Sequence, residues 1–404
     1  MPESGTPGAR SEDHLFDLVE LPQQGPVHLA VALPGGELRA LPGFPAAALP
    51  ESGRVASGRG LAAAACRRSC LGEAVELASC CAWGDETLVR AREEELGAAA
   101  VPPEALNGFS TAQLAERDAW NEERGSFDWR PAVRGRRQAI DWLQAEDAYD
   151  GRPGYLPADF VLIGRREPGD ETAVAIADSN GCAAGADFDA AKLAAVLELI
   201  ERDATARWWY RRRPCPPVAL EALEVGQELT RWLGERRRRT WLFEIASKVA
   251  LPVLAAASAE PDGRDVALGF AARGERDAAA IAAVTEMAQM EHSLAMARLL
   301  GEGAGTWNEW RRRVSLALPP LEAALCAPAD AASAGVRAPS AQGLSAVLER
   351  CAAAGVDLWF VDLTRPVFGA RAVRAASAAL THYKPRFGKL PDGGAAAAQV
   401  PLLI

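Results

Sequence analysis

Apolar residues recur at helical spacing in three long stretches of the chain. The first runs from about Leu61 to Ala82. The second opens near Asp187 or Asp189, either of which can cap it, and reaches about Tyr210. The third spans about Asp277 to Leu300. Shorter helices are expected at 220–239 and 341–354, with a surface helix in LNGFSTAQLAERDAWNEERGS (106–126). Strand-like runs are DFVLIGRRE (159–167), TAVAIADSNG (172–181), TWLFEIAS (240–247), PVLAAASAE (252–260), DVALGFAARG (265–274), VDLWFVDLT (356–364) and ARAVRAAS (370–377). HLAVALPGGELRAL (28–41) reads as a hairpin around its Gly-Gly turn. Residues 1–20 are polar and read as loose, and 42–60 read as a connector ending in SGRG. Strands and helices mix without strict βαβ alternation, which predicts an α+β fold with mixed sheets. The chain divides into an N-terminal segment, 1–54, carrying the hairpin, and a main domain, 55–404.

The three long helices share a polar pattern. In register they carry Ser69, Glu73, Glu76 and Cys80; Ala194, Glu198, Glu201 and Thr205; and Ala282, Glu286, Gln289 and Ser293. The offsets are the same in all three and describe one helix face. Taken singly, each stripe is also what the wet face of an amphipathic helix looks like. On an exposed helix the Glu198–Arg202 pair would contribute about 0.2–0.5 kcal/mol without any function. Taken together, the stripes gather carboxylates without matched lysines. Hard oxygen ligands of this kind suit Mg2+, and Mg2+ held by few protein ligands implies nucleotide phosphates completing its shell. Neither Gly-x-Gly-x-x-Gly nor a Walker A sequence is present, so such a site would be of another kind.

The net charge of −10 argues against a general nucleic-acid binder. The basic runs Arg211–Arg213 and Arg236–Arg239 follow helical segments and read as solvated helix ends. None of the eight cysteines forms a CxxC pair, and His14, His28, His292 and His382 are not at ligand spacing to any of them. Reduced, buried thiols in a cytoplasmic protein are expected. The N-terminus lacks the apolar core of a signal peptide, and no run of 18 apolar residues predicts a membrane span.

At the residues of the three stripes the sequence resembles the YcaO family. SGRGLAAAACRRSCLGEAVELAS (57–79) is similar to the family's opening Ser-x3-Glu-x2-Glu-Arg helix, preceded by a glycine–basic–glycine turn. SNGCAAGADFDAAKLAAVLELIERDATARWW (179–209) resembles its Ser-Asn-Gly, Ala-x-Gly and Glu-x2-Glu-Arg-Asp core, and TEMAQ (285–289) its Glu-x-x-Gln. VDLWFVDLTRPVFGARAVRAA (356–376) is similar to the late strand, Asp-Leu-Thr turn and following strand. The resemblance covers about residues 55–390. It implies a YcaO-like fold with a non-P-loop ATP site, in which glutamates hold Mg2+ ions that bridge the phosphates. Family members activate a peptide-backbone amide oxygen with ATP. A Cys, Ser or Thr side chain then closes an azoline, sulfide gives a thioamide, or a backbone amide gives an amidine. Carried onto this chain, the resemblance makes Glu73, Glu76, Glu198, Glu201 and Glu286 metal or ATP ligands. It makes Ser69, Arg59, Asn180, Arg202 and Gln289 nucleotide contacts.

The chain departs from the family at Leu77 and Ala282, where arginines are usual, and Arg59, Arg207, Arg273 or Arg276 are the candidates to replace that charge. The tail VPLLI lacks the alternating prolines of many azoline-forming members. The expected function is ATP- and Mg2+-dependent azoline formation in a ribosomally synthesised, post-translationally modified peptide. A thioamide-forming enzyme and a catalytically degenerate scaffold are the alternatives. Expected partners are a precursor peptide, a separate leader-peptide-binding protein and a second copy of the chain, with neither nucleic acid nor membrane.

Overall fold

The computed structural model describes residues 14–124, 129–211, 215–299 and 340–381. Its strands form three antiparallel sheets. In the first, β1 (Phe16–Gln24), β2 (Val27–Pro34) and β3 (Ala56–Gly60) lie in that order. The second is built from β4 (Val89–Ala91), β5 (Ile140–Asp147), β6 (Pro153–Pro157), β7 (Cys182–Gly185), β11 (Trp359–Asp362) and β12 (Arg371–Ala376). Its order is β4-β5-β11-β12-β7, with β6 also paired to β5. The third runs β10-β9-β8, from β8 (Arg239–Ile245), β9 (Val253–Ala259) and β10 (Ala267–Ala272). Thus β3 and β10 are both edge strands. The longer helices are α1 (Ala63–Cys80), α2 (Phe188–Arg211), α3 (Gln227–Glu235), α4 (Arg276–Leu299) and α5 (Gly343–Ala353). This is the α+β architecture that the pattern predicts.

Small residues decide how the helices sit. Along α1, Cys66, Cys70, Ala74 and Ala78 recur every fourth position and are buried. A Cβ on Gly58 would overlap the Cys66 carbonyl oxygen and the Cys70 amide, so α1 rests on the bare backbone of β3. Gly269 plays the same part in β10, where a Cβ would overlap the Ala283 carbonyl and the Met287 amide of α4. Ala279, Ala280, Ala283 and Met287 join the same core cluster as Ala267 and Ala271 of β10, while Ala288 packs with Val27 and Leu29 of β2. On α2, Ala191, Ala195, Val196, Leu199, Ile200 and Ala204 enter the core. Asp187 caps this helix, its Oδ1 accepting the Ala190 amide at 2.8 Å.

Several expectations are corrected. The hairpin is not 28–41, since Gly36–Arg39 is a short helix that buries Leu38. Instead β1 pairs with β2, and β2 with β3. Residues 16–20 therefore belong to a strand, and SGRG is a strand as well. As an edge strand, β1 (FDLVELPQQ) carries an exposed Val19 between Leu18 and Glu20 and a polar end, which break its alternation. Residues 159–167 and 172–181 form no strands. Ala158–Val161 is a helical turn, and the buried Asp159 carboxylate draws the chain around itself, accepting from Arg165, Arg166 and the Val174 amide. Ala173, Val174 and Ala175 are buried, and the Val174 carbonyl accepts from the Asn107 side chain rather than from a ladder. The stretch 106–124 breaks into short helices, at Pro103–Asn107, Thr111–Ala115 and Arg117–Arg124. Within 220–239, only Gln227–Glu235 is α-helical.

The basic run 236–239 is not simply a solvated end. Arg236 pairs with buried Glu291 at 2.9 Å, and Arg238 with Glu260 at 2.7 Å. Seven cysteines are free and buried among the described residues. No helix among them is long and apolar enough to cross a membrane. Residues 1–13, Arg212, Arg213, Cys326, His382 and the tail VPLLI lie outside the described residues.

Two glycines give opposite expectations. Gly58→Ala forces α1 off β3 and should destabilise the protein by roughly 1–3 kcal/mol. Gly72→Ala, in the interior of α1 with open space at its Cβ position, should stabilise it by about 0.5–1 kcal/mol. Urea midpoints of the two variants check both signs.

Candidate functional site

Between the edges of β3 and β10, side chains from α1, α2 and α4 meet. The strand period of two puts Ser57 and Arg59 on one face of β3, and both reach across to α4. Arg59 donates from Nη1 to Gln289 Oε1 and from Nη2 to Glu286 Oε2, each at 3.0 Å. The Gln289 amide nitrogen donates to Ser57 Oγ at 2.6 Å, and Ser57 in turn donates to Glu73 Oε1 at 3.5 Å. On the far side, alternate N–H groups of β10 point out of the sheet. Phe270 donates to Glu286 Oε2 at 3.4 Å and Ala272 to Glu201 Oε2 at 3.3 Å. Arg202 lies between the carboxylates of its own helix, 3.3 Å from Glu198 Oε1 and 3.4 Å from Glu201 Oε1.

Five carboxylates therefore share a space with two directly paired arginines, and Glu73, Glu76 and Glu201 show the strain. Burial pushes Glu73 up to about 7, while Arg59 and a hydrogen bond from the Ser57 backbone oppose the rise and Glu286 and Glu198 add to it. Burial also raises Glu201 to about 7, against Arg202 and Arg273 and reinforced by Glu286 and Glu198. Glu76 is raised well above the usual range by burial, then by Glu198, Cys182 and Glu73. A cation in this space would relieve that repulsion, and the donors are all hard oxygens. Among the described residues no three acidic, histidine or cysteine side chains are arranged to hold one ion by themselves. Mg2+ typically takes one or two carboxylates and completes its shell with phosphate and water.

The structure brings together Glu73, Glu76, Glu198, Glu201, Glu286, Gln289, Arg59 and Arg202. Asn180 is buried at the turn before β7, where its amide donates to Asp178 at 2.7 Å. Ser69 is exposed, and among the described residues it joins none of these hydrogen bonds. Leu77 is not a vacancy in the cluster. It lines an apolar recess with Phe16, Pro50 and Arg54 and packs against the core around Cys81 and Leu162. Ala282 does lie one turn before Glu286, and the charge at this point of α4 arrives from Arg59 on β3 instead. Arg207 is committed to Asp203 at 2.8 Å and Arg276 to Glu244 at 2.9 Å. The sequence reading missed Ser57, whose signal is its position two residues before Arg59 in a strand. It also missed the two backbone donors of β10, which no side-chain motif reveals.

The acidities set a pH dependence for the ligand-free protein. Folding raises Glu73 and Glu201 from 4.5 to about 7, so in that interval the folded state binds more protons than the unfolded. Stability must then fall as pH rises through it. The thermal midpoint should drop between about pH 5 and 7.5. Glu201→Gln should flatten the drop and raise the midpoint at pH 8, which separates Glu201 from other buried groups such as Asp203 and His292. An unchanged profile in that variant would contradict this account.

A family model described as YcaO cyclodehydratase, ATP- and Mg2+-binding, matches residues 57–380. No match was found among curated proteins. Among solved structures, a heterocyclase in complex with substrate and cofactor is similar over 91% of this chain and 50% of its own, with TM-score 0.76 and 26% identity. The heterocyclase TruD is similar over 78% and 45%, with TM-score 0.65 and 25% identity. The chain thus spans about half the length of these heterocyclases. The YcaO from Methanopyrus kandleri bound with AMPPCP and Mg2+ shares the fold over 93% of this chain and 89% of its own, with TM-score 0.60 and 21% identity. The fold, the ordered motifs and the family match agree: this chain belongs to the YcaO family, whose members bind ATP and Mg2+.

Proposed function

We propose that this protein uses ATP and Mg2+ to activate a backbone amide of a ribosomally made precursor peptide, closing a Cys, Ser or Thr side chain onto the preceding carbonyl to form an azoline. The observation that carries this reading is the cluster of five carboxylates held together with Arg59 and Arg202 between two sheet edges. A scaffold without turnover gains nothing from such a cluster and is destabilised by it. Similarity to heterocyclases supports the reaction class.

In this reading Glu73, Glu76, Glu198, Glu201 and Glu286 are the metal ligands. Arg59, Arg202, Gln289, Asn180 and Ser69 face the nucleotide. When bound, Mg–ATP supplies the phosphoryl group that turns an amide oxygen, a poor leaving group, into a good one. The chain's own residues do the positioning. The Phe270 and Ala272 amides each fix one oxygen of Glu286 and Glu201. The Arg59 guanidinium orients Glu286 and Gln289 as one unit and adds positive charge beside the site. Sulfide attacking the same activated amide would give a thioamide with the same groups. Substrate delivery is assigned to a separate leader-peptide-binding protein, with the cytoplasm as the compartment and a homodimer as the working assembly.

Calorimetry with ATP tests the site directly. The wild type should bind ATP only with Mg2+ present, and Glu201→Ala should weaken that binding by at least about tenfold. Absence of binding in both, with a candidate peptide and partner added, would leave a YcaO fold serving as a scaffold.

A further inference from the structure

We propose that Arg273 contacts the phosphate chain of the bound nucleotide, adding a second positive charge to the one that Arg59 brings to the Ala282 side of the site. This rests on the reading of the cluster as a nucleotide site. Arg273 directly follows β10 and is half-buried. It is the next residue after Ala272, whose amide holds Glu201. Its backbone is pinned on both sides. The Arg273 amide donates to the Pro252 carbonyl at 3.2 Å, and the next carbonyl, that of Gly274, accepts the Ala341 amide at 3.1 Å. Gly274 has no room for a side chain, because a Cβ would overlap the Ala341 carbonyl oxygen. The base of the side chain is therefore fixed relative to Glu201.

Its guanidinium turns back along the strand. Nη1 donates to the Ala272 carbonyl at 2.7 Å, and this is its one side-chain bond among the described residues. A guanidinium has five N–H donors, so most of the fork remains for another acceptor. The three other candidates for the missing charge, and Arg202, are already engaged. Arg59 holds Glu286, Arg202 bridges Glu198 and Glu201, Arg207 holds Asp203 and Arg276 holds Glu244. Arg273 follows the residue whose amide holds Glu201, yet it is paired to no carboxylate among the described residues. A cation in that position adds charge without occupying an oxygen that a metal would need. Its planar fork suits phosphate oxygens better than a single ammonium does.

The test is calorimetry of the wild type, Arg273→Ala and Arg273→Lys with Mg–AMPPCP, and with adenosine by competition. Arg273→Ala should lose about tenfold or more in affinity for Mg–AMPPCP and keep the wild-type affinity for adenosine. Arg273→Lys, which keeps the charge and loses the fork, should recover part of the loss. If Arg273→Ala binds Mg–AMPPCP as the wild type does while Glu201→Ala does not, the Arg273 assignment is overturned and the nucleotide site stands. An equal loss for both ligands makes Arg273 a structural residue and also overturns it. If the wild type binds neither ligand, the nucleotide site itself fails, and this assignment with it.

Discussion

Repulsion among Glu73, Glu76, Glu198, Glu201 and Glu286 is the constraint on which the rest of the structure turns. Gathering acids out of bulk water costs free energy, and each one raises the proton affinity of its neighbours. Arg59 and Arg202 offset part of this, and Glu73 and Glu201 still stand near 7. A site in this condition is prepared for cations. The pairing of Arg59 with Glu286 and Gln289, and of Arg202 with Glu198 and Glu201, spreads positive charge along both walls.

Keeping the acids in place requires close contact between helix and strand. Gly58 and Gly269 provide it, each letting a helix lie on a bare strand backbone beside the cluster. At that range the outward amides of Phe270 and Ala272 become ligands for Glu286 and Glu201. Edge strands usually need protection from other chains. Here part of the edge of β10 is closed by carboxylates of its own protein, so the same geometry covers the edge and orients the site.

The two departures from the family pattern prove unequal. Leu77 joins an apolar recess, where an arginine would have met Phe16, Pro50 and another arginine, Arg54. Its replacement leaves the hydrogen-bonded network of Ser57, Arg59, Gln289 and Glu286 unbroken. Ala282 lies on the cluster's own helix, and there the positive charge comes from a different element, Arg59 of β3. The loss of a motif residue therefore says little until the position of its side chain is known.

The sequence by itself determined the three long helices, the last five strands in the chain and the carboxylate stripe. These are local properties, because an apolar period of 3.6 or 2 and a run of polar offsets survive without knowledge of neighbours. It also led to the family, through motifs spaced along those helices. It did not determine the β1–β2 hairpin, whose edge strand carries too little apolar alternation, nor the irregular path around Asp159, where one buried carboxylate outweighs local strand preference. Only the tertiary structure decided that the three stripes converge, that Ser57 and two backbone amides join them, and that Arg273 rather than Arg207 or Arg276 stands beside Glu201. Convergence depends on which helix rests on which strand, and that was settled by two glycines at contacts far apart in the chain.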